Sequence, residues 1–334
     1  MRCAISYNEG VTVAKKISTA IAIDLGGTKT AAALVNSQGE QVSEKIKALT
    51  PAQVGGEAIL DTMAELIQHE YELLGEVPAA IGIGAAGSID AERGVVVNSS
   101  GTIVKWIGTD IVGGLRKRLD WARDVPIKVQ NDADAHAVGE LWMGAGRGAS
   151  SMLMVAVGTG IGCSFVLNGE VVRGAHHVGG EIGTARIPFA EGPVFTDGDL
   201  PAKFEQNAAG PAMVHFYKEA DGPEANDAVR GQLVMELAAE GDEVALNVTR
   251  ALGRRLGEVM SWYVMMLDPE VIVLGGGVPK LNSEWWKAMQ ERLMELLPEY
   301  MQDKVDLRRA KLKNNAAFLG AARDAFLLAG VKIK

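Results

Sequence analysis

Cysteine is almost absent from this chain: its 334 residues hold two, Cys3 and Cys163. Two thiols cannot make a disulfide framework or a cysteine-rich zinc site. Cys163 sits inside an apolar run and reads as a small buried hydrophobe. Long apolar stretches are missing as well, since the longest reach about ten residues before a glycine breaks them, against the ~20 that a membrane-spanning helix needs. The first twenty residues have no continuous apolar core, so no secretory leader is read there. Positive charge is in deficit, with 33 Lys and Arg against 42 Asp and Glu and a net charge of −9. That balance opposes non-specific binding to nucleic acid or to an anionic membrane. A soluble, reducing, cytoplasmic setting with no nucleic-acid or membrane partner is the expectation.

What the chain does have is apolar bulk (48% of residues) and forty glycines. The length allows two domains at ~100–200 residues each, and the glycines provide many places where backbone can turn sharply or approach a ligand. Residues 1–18 read as a short extension. Strand signals cover 20–25 and 30–36, a helix 55–75, a buried strand 78–87 and a helix 110–120. A strand at 125–132 runs into the next helix. Then the pattern repeats. The segment 152–172, MLMVAVGTGIGCSFVLNGEVV, has the plan of IAIDLGGTKTAAALVNSQGEQV: strand, Gly/Thr turn, strand, Asn, Gly-Glu. Gly39-Glu40 recurs at Gly169-Glu170. Such self-similarity predicts a duplicated α/β unit with a cleft between the halves. The domains are expected at 19–135 and 136–334, with no Pro/Ser-rich tether between them and the C-terminal helix able to return to the first. The second half reads as helical over 205–268, strand over 271–278, and helical near 284–297 and 316–329.

The first turn, Asp24-Leu25-Gly26-Gly27-Thr28-Lys29, carries more chemistry than a hairpin needs. A Gly-rich turn converges backbone N–H groups on an anion such as phosphate, and Thr28 and Lys29 add a hydroxyl and a point charge. Asp24 would repel phosphate unless a cation bridged them, most simply hydrated Mg²⁺. An ordinary hairpin with an Asx bond would also use such residues. The second turn, with Gly158, Thr159, Gly160 and Gly162, tips the balance toward two cradles gripping one polyphosphate. It leads into another strand, whereas a dinucleotide fingerprint opens a helix. Asn131-Asp132 stands between a strand end and a helix start. Asp132 fits a plain N-cap, and equally a carboxylate kept ionised by the helix dipole that takes a hydroxyl proton during phosphoryl transfer. Asp134 and His136, next on the helix, read as structural or as supporting residues behind the site. Glu181 and Glu205 have the acceptor capacity that polyol recognition needs, although in isolation they read as surface glutamates. His176 and His177 cannot share a helix face and have no further ligands spaced to complete a metal site. The triple glycine 275–277 either brings backbone against adenine and ribose or makes a turn.

Taken together, these segments resemble the ROK family of sugar kinases and regulators, over roughly residues 19–330 and in consistent order. AIDLGGTK and VGTGIGCS look like its two phosphate motifs, and LGGGV like its adenosine motif with Gly276 and Gly277. QNDADA is similar to its catalytic strand end, implying Asp132 as general base and Asn131 as a sugar contact. GGEIG and EQNAAG imply Glu181 and Glu205 as sugar ligands, and GAAG implies a backbone contact at Gly87. The resemblance thus implies an actin/hexokinase/Hsp70-like fold of duplicated ribonuclease H-like domains. It implies a kinase using ATP and Mg²⁺ on the 6-hydroxyl of a hexose or N-acetylhexosamine such as glucose, mannose or N-acetylmannosamine, working as a homodimer. Alternatives within it are a polyphosphate-using glucokinase and a sugar-responsive transcriptional regulator. Only about twenty residues precede the first strand, too few for the DNA-binding helices a regulator needs. Two departures stand out. Thr184 replaces the histidine that family members place after GEIG, and the CxCGxxGCxE zinc segment is missing, so residues 185–204 are expected to be held by packing and not by a structural zinc. Asn98, Ser99 or Thr102 are candidates for a sugar-contacting asparagine without a clear counterpart in NSSGTIVKW.

Overall fold

A computed structural model describes residues 17–99, 101–189, 194–226, 229–281 and 283–334. Most of the expected extension, with Cys3, lies outside them, as do residues 190–193 of the loop that lacks zinc ligands. The first half runs β1 (Thr19–Leu25), β2 (Lys29–Asn36), β3 (Ile46–Leu49), α1 (Gly56–Leu74), β4 (Ala80–Ala85), β5 (Ser88–Asp90), β6 (Val95–Asn98), α2 (Ile111–Arg118), β7 (Ile127–Asn131) and α3 (Asp132–Met143). The second runs β8 (Ser151–Val157), β9 (Ile161–Leu167), β10 (Glu170–Val171), a small pair β11 (Thr196–Asp197) and β12 (Leu200–Pro201), then α4 (Phe204–Ala208), α5 (Gly210–Glu219), α6 (Gly231–Glu240) and α7 (Glu243–Leu267). It closes with β13 (Val271–Gly276), α8 (Val278–Leu281), α9 (Ser283–Leu296), α10 (Glu299–Gln302), β14 (Leu307–Arg309) and α11 (Ala316–Leu328).

The repeat in sequence is a repeat in topology. One five-stranded sheet has the order β3-β2-β1-β4-β7 and the other β10-β9-β8-β13-β14. Each begins with an antiparallel hairpin, β1/β2 or β8/β9, and continues with two parallel strands. Among the described residues, the region expected to be helical over 205–268 is four helices, interrupted at Ala209, at residues 220–226 and 229–230, and at Gly241-Asp242. The short strands β3, β5, β6 and β14 carry too few residues to show a period of their own.

Alternation along β1 decides where everything else sits. Ile21, Ile23 and Leu25 join a core with Ile59, Leu60, Met63 and Ile67 of α1. Ala20 and Ala22 face the other way, with Ala31, Ala33 and Ala80, and receive Phe318, Leu319, Ala322 and Phe326 of α11. That alanine face is shallow enough for close helix approach. A Cβ on Gly82 would meet the Ala321 carbonyl, and one on Gly320 the Ala135 carbonyl. The C-terminal helix therefore packs on the first sheet, side by side with α3. On its opposite side α3 contributes Ala137, Val138 and Leu141 to a core with Met152, Met154 and Val273 of the second sheet. The fully buried Glu140 fixes this arrangement by accepting from Ala145 N (2.7 Å), Lys311 N (3.1 Å) and Leu312 N (2.7 Å). Helix α3 thus lies between the two sheets, and its N-terminus opens where the two halves meet.

Candidate active site

The turn between β1 and β2 is braced from below. Gly26 N donates to Lys29 O at 3.0 Å, Thr50 Oγ1 donates to Gly26 O at 2.8 Å, and Thr50 N donates to Thr28 O at 2.9 Å. Gly27, Thr28 and Lys29 are left exposed at its tip, and Thr102 lies 3.9 Å from where a Gly27 Cβ would be. Asp24, one residue before the strand end, has its carboxyl pushed above the usual range by burial; positive charge at His136 and Lys45 opposes that shift.

The matching turn between β8 and β9 closes with Gly158 N donating to Gly160 O at 2.9 Å. Gly210 N, at the start of α5, donates to Gly158 O at 2.8 Å, which ties the turn to that helix. Gly276 has φ +91°, and a side chain there would run into Val157 backbone, so the end of β13 lies flat against this turn. Gly158 and Gly277 face open space. Gly162 is 3.4 Å, Cβ position to Cβ, from Ala133 at the start of α3. The second cradle and the head of α3 are therefore neighbours.

At that head the cap is Asn131, whose Oδ1 accepts from Ala133 N (2.8 Å) and Asp134 N (3.2 Å). This corrects the N-cap reading of Asp132, which is the first helical residue and is released from capping. Asn131 also donates through Nδ2 to Gly87 O at 2.9 Å. That carbonyl is already engaged, and one Asn131 N–H is left over for another acceptor. Gly87 needs its glycine: φ is +102° and a Cβ would approach Asn98 O. Asp132 accepts from Ala133 N at 2.8 Å. Burial raises its pKa, the nearby charges of Asp24 and Asp134 raise it further, and His136 pulls it down. His136 donates from Nδ1 to Asp132 O at 2.9 Å, so its charge faces both Asp24 and Asp132. Asp134 is a buried ion-pair partner of Arg173 at 3.0 Å.

The segment around Glu181 is laid on β9 by its glycines. A Cβ on Gly180 would meet Cys163 O and one on Gly183 would meet Ile161 O. Glu181 remains solvent-accessible, but desolvation and the carboxylates of Asp132, Asp134 and Glu205 push its pKa up, while a hydrogen bond from Ser88 pulls it down. Glu205 enters from the first turn of α4, its Oε2 next to Gly160 and Gly183. Asp24, Asp132, Glu181 and Glu205, scattered over 182 positions, are thus linked by charge: Asp24 acts on Asp132, and Asp132 and Glu205 act on Glu181. Ser88 was missed because nothing but adjacency to Gly87 marks it, and Thr50 carries no signal at all.

The loop without zinc ligands has other supports. Asn207, 1% exposed, accepts from Phe195 N at 2.7 Å. Phe195 packs with tilted rings against His215 and Phe216, and Phe189 likewise against Phe204. Arg255 donates to Asn207 O at 2.8 Å and lies over the rings of Phe189 and Phe216. Desolvation lowers its pKa to about 10. His176 is exposed, and among the described residues no three His, Cys, Asp or Glu stand close enough to hold a metal ion by themselves.

Comparison with known proteins decides the family. The ROK family profile matches residues 20–325. The chain belongs to the ROK family. It is 28% identical to a glucokinase of Thermotoga maritima over 315 residues, 90% of this chain and 95% of that one. Its structure matches a ROK hexokinase from Thermus thermophilus with a TM-score of 0.78 at 32% identity, covering 92% and 98% of the two chains. A ROK family glucokinase from Streptomyces griseus, solved with glucose and AMPPNP, matches with a TM-score of 0.74 at 27% identity over 93% and 99%. This ROK protein therefore has the duplicated actin-like ATPase fold with an interdomain cleft, and it is a sugar kinase. It lacks the family's usual zinc motif. No helix among its described residues is long and apolar enough to cross a membrane.

The geometry suits a nucleotide polyphosphate. The two glycine turns expose backbone at Gly27 and Gly158, and the desolvated carboxylate of Asp24 could serve as a protein ligand to a largely phosphate-held Mg²⁺. Asp24, Gly26, Gly27, Thr28 and Lys29 would hold one side of ATP·Mg²⁺, and Gly158, Thr159, Gly160 and Gly162 the other. Gly276 and Gly277 would pass beneath the nucleoside.

Proposed function

We propose that this ROK protein phosphorylates the 6-hydroxyl of a hexose or N-acetylhexosamine, with ATP as donor and Mg²⁺ bound at Asp24. The observation that carries the reading is the position of Asp132. It heads α3 as the first helical residue, where Asp24, Asp134 and His136 act on its charge and it acts in turn on Glu181. Asn131, Glu181, Glu205 and the backbone at Gly87 hold and orient the sugar. Asp132 accepts the proton of the attacking hydroxyl, as phosphoryl transfer requires of a positioned base. His136 and the dipole of α3 favour its ionised form against the burial that opposes it. Mg²⁺ held at Asp24 would neutralise charge on the transferred phosphoryl group. Closure of the halves excludes water that would otherwise hydrolyse the donor. A homodimer in the cytoplasm, as the resemblance to the family implies, completes the proposal.

The test is coupled ADP release against a panel of hexoses and N-acetylhexosamines, with ATP and with inorganic polyphosphate. Turnover of at least one hexose or N-acetylhexosamine with ATP is expected. No turnover with any of them would overturn the reading, and a strong preference for polyphosphate would overturn the donor. Light scattering after gel filtration checks the dimer.

A further inference from the structure

Arg173 belongs to none of the motifs, yet it touches most of the elements that meet at the site. It follows β10 in the second half. Its Nε donates to Asp134 Oδ2 at 3.0 Å and its Nη2 to Gln130 Oε1 at 3.1 Å. Gln130 is the β7 residue two before Asp132, and Asp134 is the α3 residue two after it. The same Asp134 accepts from Ser164 Oγ of β9 at 2.8 Å. Gln130 is fully buried and donates in turn to Gly320 O of α11 at 3.3 Å. The backbone of Arg173 acts in the other direction. Its carbonyl accepts from Gly179 N at 2.9 Å, and a Cβ at Gly179 would strike it, so the start of the Glu181 segment is pressed onto Arg173.

We propose that Arg173 is a positioning residue that sets Asp132 and Glu181 in register with each other. Its guanidinium grips the chain on both sides of Asp132, and its main chain seats the segment that delivers Glu181. A planar fork reaches the two acceptors through separate nitrogens in fixed geometry; a lysine supplies the charge from a single nitrogen without that geometry. A sugar held by Glu181 therefore arrives with its hydroxyl aligned to Asp132, and loss of the fork lets the two drift apart. A misplacement of about 1 Å suffices for a ~10²-fold loss. The proposal rests on the kinase reading above.

The test compares Arg173→Met, Arg173→Lys and the double variant Arg173→Met/Asp134→Asn with the parent, by thermal unfolding and by steady-state kinetics on a sugar that the parent turns over. In Arg173→Met, kcat is expected to fall about 10–100-fold and the sugar KM to rise several-fold, while the ATP KM stays within about twofold. Arg173→Lys restores part of kcat. The double variant removes the uncompensated buried carboxylate and recovers the melting temperature, but not kcat. A purely structural role predicts that activity returns with stability. Parental kcat and sugar KM in Arg173→Met, or full kcat in the double variant, would overturn the proposal. Should Arg173→Met not fold, Arg173→Lys and the double variant carry the same comparison. Parental turnover in Asp132→Asn would instead refute the kinase reading itself, so the two failures are distinguishable.

Discussion

Asp132→Asn separates chemistry from stability in one substitution. Asparagine keeps the volume and an Oδ1 that can accept the Ala133 N–H, now made at 2.8 Å. It removes the oxygen that takes the hydroxyl proton. A positioned general base contributes about 10²–10⁴ in rate, so the barrier rises by about 2.7–5.5 kcal/mol. Stability moves the other way. Burial and the charges of Asp24 and Asp134 raise the Asp132 pKa in the folded chain. A carboxyl with a raised folded pKa contributes its stability below the unfolded pKa and loses it as pH rises through the folded one. At pH 7–8 the parent therefore carries an unfavourable charge that the variant lacks. The variant is expected to melt higher there, and the gap is expected to close as the pH falls toward 4. The assays are ADP release at saturating sugar, calorimetric sugar binding, and melting curves across pH 4–8. Binding is retained and turnover lost. Parental turnover, or a melting difference independent of pH, would refute the assignment and its electrostatics.

Other consequences are equally open to measurement. Asp24→Asn should raise the Mg²⁺ concentration needed for half-maximal rate while raising the melting temperature at neutral pH, since burial holds the Asp24 pKa up as well. A titration of rate against Mg²⁺ checks it. Gly160→Ala places a Cβ about 2.8 Å from Glu205 Oε2, so the carboxylate is displaced. The sugar KM should rise at least several-fold with little change in melting temperature. Glu140→Ala strands three backbone N–H groups, at about 1–3 kcal/mol for each buried one, and the urea midpoint should drop accordingly; Glu140→Gln should drop less. Gly320→Ala forces α11 away from α3 and should cost about 1–3 kcal/mol, read from the same urea curves.

Much of the site was legible because its chemistry is local in the chain. The two cradles are short turns whose glycines, hydroxyl and charge are contiguous, and Asp132 sits at a strand-to-helix switch that periodicity marks. The 205–268 region was read too coarsely because the helix breaks at Ala209 and Gly241-Asp242 span only one or two residues inside an apolar, helix-favouring stretch. The cap was misassigned for a related reason. Asn and Asp cap equally well, and only the backbone at residue 131, extended with φ −61° and ψ 149°, selects the asparagine. Arg173, Ser88 and Arg255 left no trace, since a lone arginine or serine looks alike wherever it stands.

By itself the sequence determined the duplicated α/β plan and the location of both glycine turns, because backbone geometry at glycine and strand alternation are properties of neighbouring residues. It also determined that no cysteine-bound zinc holds the 185–204 loop. The tertiary structure alone decided which carboxylates act on one another, how burial and mutual repulsion move their pKa values, and that an aromatic cluster under Arg255 supports that loop. Those outcomes depend on through-space distances among residues far apart in the chain, and a linear pattern does not encode them.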